Sequence, residues 1–215
     1  DRNAHKFYKI EFENPVYIVR FHAETFGENT NESNRGRICI GNMAFYPSDY
    51  NLPLSGGELD YEPSNWNNSN VASYNCYAYA FNTKSHNYMQ PGGSEGHNAY
   101  NTTNYLSSEV ITRMVSLDAI NYGFVFNPIS KTSKCPDGQY KVALVIAPNE
   151  DYHWYRQNSD GTWSHKPGIY NVIKTDYQSK IIYDPMIADR RYNYSWLSTT
   201  NYTEWVGYFS VTEAN

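Results

Sequence analysis

One cysteine and two histidines have the residue types and spacing needed for nucleophilic catalysis. Cys76 lies in the stretch 75–81, which contains two alanines and no Gly or Pro and therefore predicts a short helix. Asn75 is suited to cap that helix, and this places Cys76 in the first turn. The free N–H groups of a first turn stabilise a thiolate, the nucleophilic form of cysteine. We therefore predict that Cys76 is a nucleophile with a lowered pKa.

The general base for such a cysteine must be a histidine from another part of the chain. His153 and His165 flank a predicted hairpin, and strand positions hold catalytic geometry more rigidly than loops do. The other four histidines stand in polar, loop-like sequence and are expected at the surface: His5, His22, His86 and His97.

The register of the hairpin decides whether the two histidines can meet. A two-residue turn at 160–161 places His165 opposite Arg156, with the histidines on opposite faces. A three-residue loop at 159–161 places His165 opposite Tyr155, with both histidines on one face. The sequence permits both registers. We favour the second, because its last loop position requires a left-handed residue and a glycine stands there.

This order of residues resembles the papain-like cysteine hydrolases of the NlpC type, and more distantly CHAP amidases and transglutaminase cores. In those enzymes a Cys opens a helix, a His follows on a sheet strand, and a third polar residue lies on the adjacent strand. The resemblance implies that Cys76 is the nucleophile, His153 the general base and acid, and His165 the residue that orients His153. It also implies an acyl-enzyme intermediate, amide substrates such as cell-wall peptides, and no cofactor.

The remaining site residues are predicted by chemical type. The backbone N–H of Cys76 and one side-chain amide would form an oxyanion hole. The amide candidates are Asn70, Asn75 and Gln157, and Asn75 and Gln157 are predicted, together with Tyr155, to contact the substrate. Other residues that could orient the base instead of His165 are Asn158, Asp176 and Asp184.

The elements that must position these residues predict an α+β fold in which the Cys-bearing helix packs on an antiparallel sheet. A second helix is expected at 106–119 from its 3.6-residue periodicity. Trp154 and Trp163 are expected on the sheet face away from the histidines. Strands are predicted within 7–22 and at 38–46, 142–147, 152–158, 162–165, 180–183 and 205–212.

Length and patterning predict a single domain over 1–215. It would comprise N-terminal strands in 1–46, a loop-rich segment with the Cys76 helix in 47–104, and a helix with the sheet in 105–215. The three cysteines leave at least one thiol unpaired, and Cys39 and Cys135 are a possible disulfide pair.

Composition narrows the classes of function. A formal net charge of -5 is unfavourable for binding a nucleic-acid backbone, and no apolar run reaches the ~18–20 residues of a membrane span. Low charge with 17% aromatic residues favours a secreted protein with a folded core. The sequence does not specify an oligomeric state.

Two other functions are compatible with this sequence. One is a secreted, aromatic-rich binding module or toxin component that recognises carbohydrate or a host protein without catalysis, because rigid aromatic rings suit such surfaces. The other is a metal site built from Cys76, His153, His165 or Asp184. The sequence lacks the closely spaced Cys and His pairs of structural zinc sites, so we expect no metal.

Overall fold

A computed structural model describes residues 52–68, 70–86, 88–97, 106–192 and 199–214. The chain divides into two units, Asp1–Tyr50 and Asn51–Asn215, and every described residue belongs to the second unit. The strands that the sequence predicts within 7–22 and at 38–46 therefore lie outside the described residues.

The first helix, α1, is the predicted Cys-bearing helix and spans Cys76–Ala80. The side-chain oxygen of Asn75 accepts a hydrogen bond from the N–H of Ala78 at 3.0 Å, and its amide donates to the carbonyl of Met89 at 2.6 Å. All five residues of α1 are buried. The prediction that Cys76 occupies the first turn of a helix capped by Asn75 is confirmed.

The second helix, α2, spans Ser108–Tyr122 and begins two residues later than its apolar periodicity predicts. The Ser107 hydroxyl caps it by accepting from the N–H of Val110 at 3.3 Å. Gly123 ends it in a left-handed conformation with φ 73°. Its buried face includes Ile111, Val115 and one charged residue, Asp118.

The strands of the described residues are β1 Phe126–Ile129, β2 Tyr140–Ala147, β3 Asp151–Gln157, β4 Trp163–Ser164, β5 Arg191–Tyr192, β6 Thr200–Asn201 and β7 Glu204–Val211. Five of them form an antiparallel main sheet in the order β1-β7-β2-β3-β4, and β5 pairs with β6 in a two-stranded sheet. An α+β class is therefore confirmed.

Two strand assignments differ from the sequence prediction. The segment 180–183 forms no strand: Ile181 and Ile182 make only isolated bridges to Thr175 and Trp163. Conversely, β1 contains Pro128 and lacks an apolar alternation, yet it pairs with β7 along its whole length. Its edge position explains this, because proline is tolerated where only one neighbour needs the backbone N–H.

The central strand β2 is buried along all eight residues, as its continuous apolar sequence predicts. One face, with Val142, Leu144 and Ile146, packs against α1 and α2. The other face, with Ala143 and Val145, lies against Tyr192, Ile182, Tyr202 and Tyr208 in a second core cluster. The helices therefore cover one face of the sheet only.

The β3–β4 hairpin adopts the three-residue loop. Arg156 is opposite Ser164 and Gln157 is opposite Trp163, a register that places Tyr155 opposite His165. The N–H of Asn158 bonds to the carbonyl of Thr162 at 2.8 Å, and Gly161 takes φ 81°. The preferred register is confirmed.

The two tryptophans of the hairpin lie on opposite faces. Trp154 packs beneath α1, with its ring centroid 5.9 Å from that of Tyr77 and 5.3 Å from that of Phe81. Trp163 belongs to the second core cluster, on the face of the histidines. The prediction that both tryptophans lie on the sheet face away from the histidines was wrong for Trp163. It is two positions before His165 in the chain, and alternate side chains of an extended segment share one face.

Within the described residues, neither helix has the length and apolar character needed to cross a membrane.

A buried carboxylate on α2 joins the two helices. Asp118 is fully buried and accepts three hydrogen bonds: from the Tyr77 hydroxyl at 2.9 Å, from the N–H of Gly92 at 2.8 Å and from the N–H of Ser94 at 3.0 Å. It thereby fixes the chain that follows the Cys76 helix.

We expect Asp118→Ala to lower the free energy of unfolding by about 3 kcal/mol, since three donors would lose their partner in a dry site. Urea denaturation measures this change. Asp118→Asn keeps an acceptor oxygen and should lose less, whereas Asp137→Ala, at an exposed loop position, should change stability by less than about 0.5 kcal/mol. Equal losses for Asp118→Ala and Asp137→Ala would contradict this role.

Candidate active site

The sulfur of Cys76 lies against the edge of β3 just beyond the end of β4. Its Sγ is 4.0 Å from the carbonyl oxygen of Tyr152 and accepts a hydrogen bond from the backbone N–H of Trp154. These groups point towards the β4 side, but β4 stops at Ser164, opposite Arg156, and leaves this edge uncovered. The N-terminus of α1 therefore places the thiol against β3, where its two backbone contacts, Tyr152 and Trp154, are the residues on either side of His153.

The two histidines form a hydrogen-bonded chain that fixes their tautomers. His153 Nε2 lies 2.8 Å from His165 Nδ1, and His165 Nε2 lies 3.1 Å from the carbonyl oxygen of Thr175. A carbonyl can only accept, so His165 Nε2 carries the proton and the neutral ring accepts at Nδ1. His153 must then donate from Nε2, which leaves its Nδ1 unprotonated.

Cys76 and His153 line the same cavity, whose volume is about 360 Å³. The segment 167–170 and the side chains of Tyr88 and Gln90 form other parts of its wall. His153 is 1% exposed and Cys76 5% exposed, so the cavity is the route by which a ligand could contact both.

The thiol and the imidazole approach this cavity from different sides of β3. Trp154 faces α1, so the neighbouring His153 projects from the opposite face of the strand. Within the described residues no hydrogen bond joins Cys76 to His153, and Nδ1 of His153 has no hydrogen-bond partner there. The two groups are arranged around one space but are not in contact at rest.

The pKa of the Cys76 thiol is opposite in direction to the prediction. Burial and, to a smaller extent, the charge of Asp151 raise this pKa to about 12. The N–H groups of Trp154 and Tyr77 and the charge of Lys166 lower it, but by less. A helix of five residues has a weak dipole, so desolvation dominates and the resting thiol is protonated.

Both imidazoles are neutral near pH 7. Burial and the neighbouring His165 lower the pKa of His153 well below its ordinary value, and burial lowers that of His165 to about 4. Burial also lowers the pKa of Lys166, beside Cys76, to about 8. The Lys166 ammonium donates to the carbonyls of Gly168 and Tyr170 at 2.8 and 2.9 Å.

Of the three residues predicted to contact the substrate, one lines the cavity and two do not. Asn75 lines the cavity, with both ends of its side chain already bonded as the α1 cap. Tyr155 and Gln157 do not line it. The Tyr155 ring packs against both imidazoles and its hydroxyl lies 2.9 Å from that of Tyr192, while the Gln157 amide donates to the carbonyl of Leu52 at 2.7 Å.

The alternative orienting residues do not bond His153 in the described structure. Asn158 shapes the hairpin loop through Thr162 and Ser164. Asp184 bonds Tyr208 and the N–H of Met186, and Asp176 bonds the N–H groups of Gln178 and Lys180. His165 holds the position next to His153.

Several cavity residues were not predicted from sequence. Gln90 lies in a segment predicted as loop, and its side-chain oxygen accepts from the Tyr152 hydroxyl at 2.6 Å. Asp151 also lines the cavity. No local motif marks these positions, because segments distant in sequence bring them together.

Cys135 is a buried free thiol, and Cys39 lies outside the described residues. Among the aromatic residues that could supply a binding surface, Trp66, Trp154 and Trp163 are core residues, whereas Tyr88 and Tyr202 line the cavity. Within the described ranges, no group of three Cys, His, Asp or Glu side chains is placed to hold a metal ion.

Comparison with known proteins identifies one similar sequence. Insoluble matrix shell protein 1 of Ruditapes philippinarum is 30% identical to this chain over 154 residues, which cover 70% of this chain and 88% of that protein. No protein-family model and no solved structure matches the chain.

The buried histidines should make stability depend on pH. In the unfolded chain His165 takes up a proton near pH 6.5, whereas in the folded protein its pKa is about 4. The contribution of neutral His165 to stability is therefore fully present above pH 6.5 and is lost as pH falls from 6.5 to 4. We expect His165 to account for about 3 kcal/mol of loss by pH 4. Urea denaturation at pH 7, 6, 5 and 4 measures it.

His165→Asn should flatten this pH dependence, while the exposed His97→Asn should leave it unchanged. An NMR titration that gives His165 a pKa near 6.5 would contradict the assignment.

Proposed function

We propose that this chain, which belongs to the family of insoluble matrix shell protein 1, is a secreted, papain-like thiol hydrolase that cleaves amide bonds. The observation that supports this most strongly is the histidine chain. The contacts from Thr175 to His165 to His153 leave Nδ1 of His153 unprotonated, and His153 lines the same cavity as Cys76.

The reaction begins when Cys76 Sγ attacks the carbonyl carbon of the substrate amide and its proton passes to His153 Nδ1. The imidazolium then gives that proton to the leaving nitrogen, and an amine departs from a thioester on Cys76. Water attacks the thioester and loses a proton to Nδ1. The carboxylic acid leaves, and the proton returns to the sulfur.

His165 would stabilise the imidazolium that forms at His153. As His153 gains its second proton, the bond from His153 Nε2 to His165 Nδ1 becomes charge-assisted and therefore stronger. The fixed carbonyl of Thr175 keeps His165 in the tautomer that accepts this bond. His165 is thus a positioning residue and does not contact the substrate.

Two donors are suited to the developing oxyanion. The backbone N–H of Cys76 is the first of α1 and has no partner within the helix. The side-chain oxygen of Gln90 is held by Tyr152, which orients the amide group beside the sulfur-bearing wall. Donors prearranged around the carbonyl oxygen supply much of the rate enhancement in acyl transfer.

Cys76 and His153 are both uncharged at rest, so the proposed reaction relies on general-base activation of the thiol and not on a preformed thiolate. Proton transfer requires Sγ and Nδ1 to come within ~3 Å, and such bonds commonly tighten only when substrate binds. The cavity provides the space into which a substrate carbonyl would bring the two groups together.

A second function is favoured by the family relationship. The relative is named as an insoluble matrix protein, so this chain could act as a structural component of an extracellular matrix, with the cavity used for binding alone. The two functions differ in their need for Cys76: a structural component would tolerate its loss, and an enzyme would not.

An acylation experiment separates the two functions. Incubation with p-nitrophenyl acetate at pH 7.5 should acetylate Cys76, detected by peptide mass spectrometry, and release nitrophenolate in a burst. Cys76→Ala should abolish the burst. Cys135→Ala removes the other buried free thiol and should keep it.

His153→Gln should slow acylation at least about 100-fold, the usual contribution of a general base. His165→Asn should slow it less and shift its pH profile. If Cys76 is acetylated no faster in the wild type than in His153→Gln, the hydrolase proposal fails and the structural role is retained.

A further inference from the structure

The charged side chains that line the cavity are both acidic. Within the described part of the chain these are Glu150 and Asp151, at the turn that leads into β3. Asp151 precedes Tyr152, whose carbonyl contacts the sulfur of Cys76. The carboxylate of Asp151 therefore belongs to the residue next to the one that Cys76 contacts on β3.

Neutral donors fix both carboxylates in place. The Tyr202 hydroxyl donates to one oxygen of Asp151 at 2.6 Å, and the N–H of Tyr152 donates to the other at 2.8 Å. The Thr200 hydroxyl donates to Glu150 at 2.7 Å. These three donors orient the carboxylates, and none of the three carries a positive charge.

The field of Asp151 extends across the cavity. Its charge contributes to the raised pKa of Cys76 on one wall and of Tyr88 on another, in each case after burial as the larger cause. Lys166 partly offsets this field at Cys76. Its ammonium, however, is directed to the carbonyls of Gly168 and Tyr170, and its side chain is not part of the cavity wall.

The rest of the lining suits a long basic side chain. Four tyrosines line the cavity: Tyr88, Tyr152, Tyr170 and Tyr202. Aromatic faces attract cations and pack against the alkyl part of lysine or arginine. A negative substrate side chain would meet two carboxylates.

We propose that this cavity selects substrates with a lysine or arginine side chain next to the amide bond that Cys76 attacks, and that Asp151 determines this specificity. The proposal rests on the proposed hydrolase function and identifies the substrate class of the same site. Cys76 and buried His153, whose Nδ1 has no hydrogen-bond partner among the described residues, both line the cavity in which the basic side chain would lie.

Charged thiol reagents test the selectivity without a known substrate. The rate of Cys76 modification is measured for the cationic trimethylammonioethyl and the anionic sulfonatoethyl methanethiosulfonates, each divided by its rate with free mercaptoethanol. We expect a normalised cation-to-anion ratio of roughly ten or more, which falls as salt screens the carboxylates.

Asp151→Asn should reduce this ratio to below about three. Glu150→Gln, at an exposed position, should reduce it by a smaller factor, and Asp137→Asn makes the same chemical change away from the cavity and should leave it unchanged. A ratio near one in the wild type, or one that Asp151→Asn does not alter, would overturn the proposal.

Aminomethylcoumarin amides of Lys, Arg, Ala and Glu extend the test to catalysis. The Lys and Arg amides should be cleaved fastest, and Asp151→Asn should remove that advantage. Thiol modification requires no acyl transfer. If Cys76 is acetylated but its modification shows no charge selectivity, only the proposed substrate class is rejected. If modification is charge-selective but Cys76 is not acetylated, the hydrolase function is rejected.

Discussion

The structure of this site depends on one carbonyl group. The carbonyl oxygen of Thr175 can only accept a hydrogen bond, so it fixes the proton on Nε2 of His165 and, through that ring, the proton on His153. Burial keeps both imidazoles neutral, and neutral rings have a defined donor and a defined acceptor. His153, whose Nδ1 is thereby left unprotonated, lines the cavity that also contains Cys76.

The same burial that orders the histidines suppresses the thiolate. Desolvation disfavours the charged form of every group here, so it lowers the pKa of each imidazole and raises that of the thiol. In the proposed reaction, a substrate in the cavity would have to bring sulfur and nitrogen together. Reactivity would then depend on binding, and side reactions of an exposed thiolate would be limited.

The family relationship and the site geometry bear on different questions. Similarity to an insoluble matrix shell protein concerns the setting in which such chains are found, and the histidine chain concerns the chemistry available to this one. A hydrolase that recognises basic side chains and a matrix component are compatible roles for one extracellular protein. The need for Cys76 distinguishes them experimentally.

Local sequence determined the elements of this protein, and tertiary structure decided how they meet. The capped helix of Cys76, the buried strand β2 and the Gly161 loop follow from neighbouring residues, because capping, strand burial and a left-handed turn are short-range effects. The raised pKa of Cys76 and the presence of Gln90 and Asp151 in the cavity wall did not follow. Desolvation and cavity shape are sums over segments far apart in the chain, and a local pattern contains no measure of either.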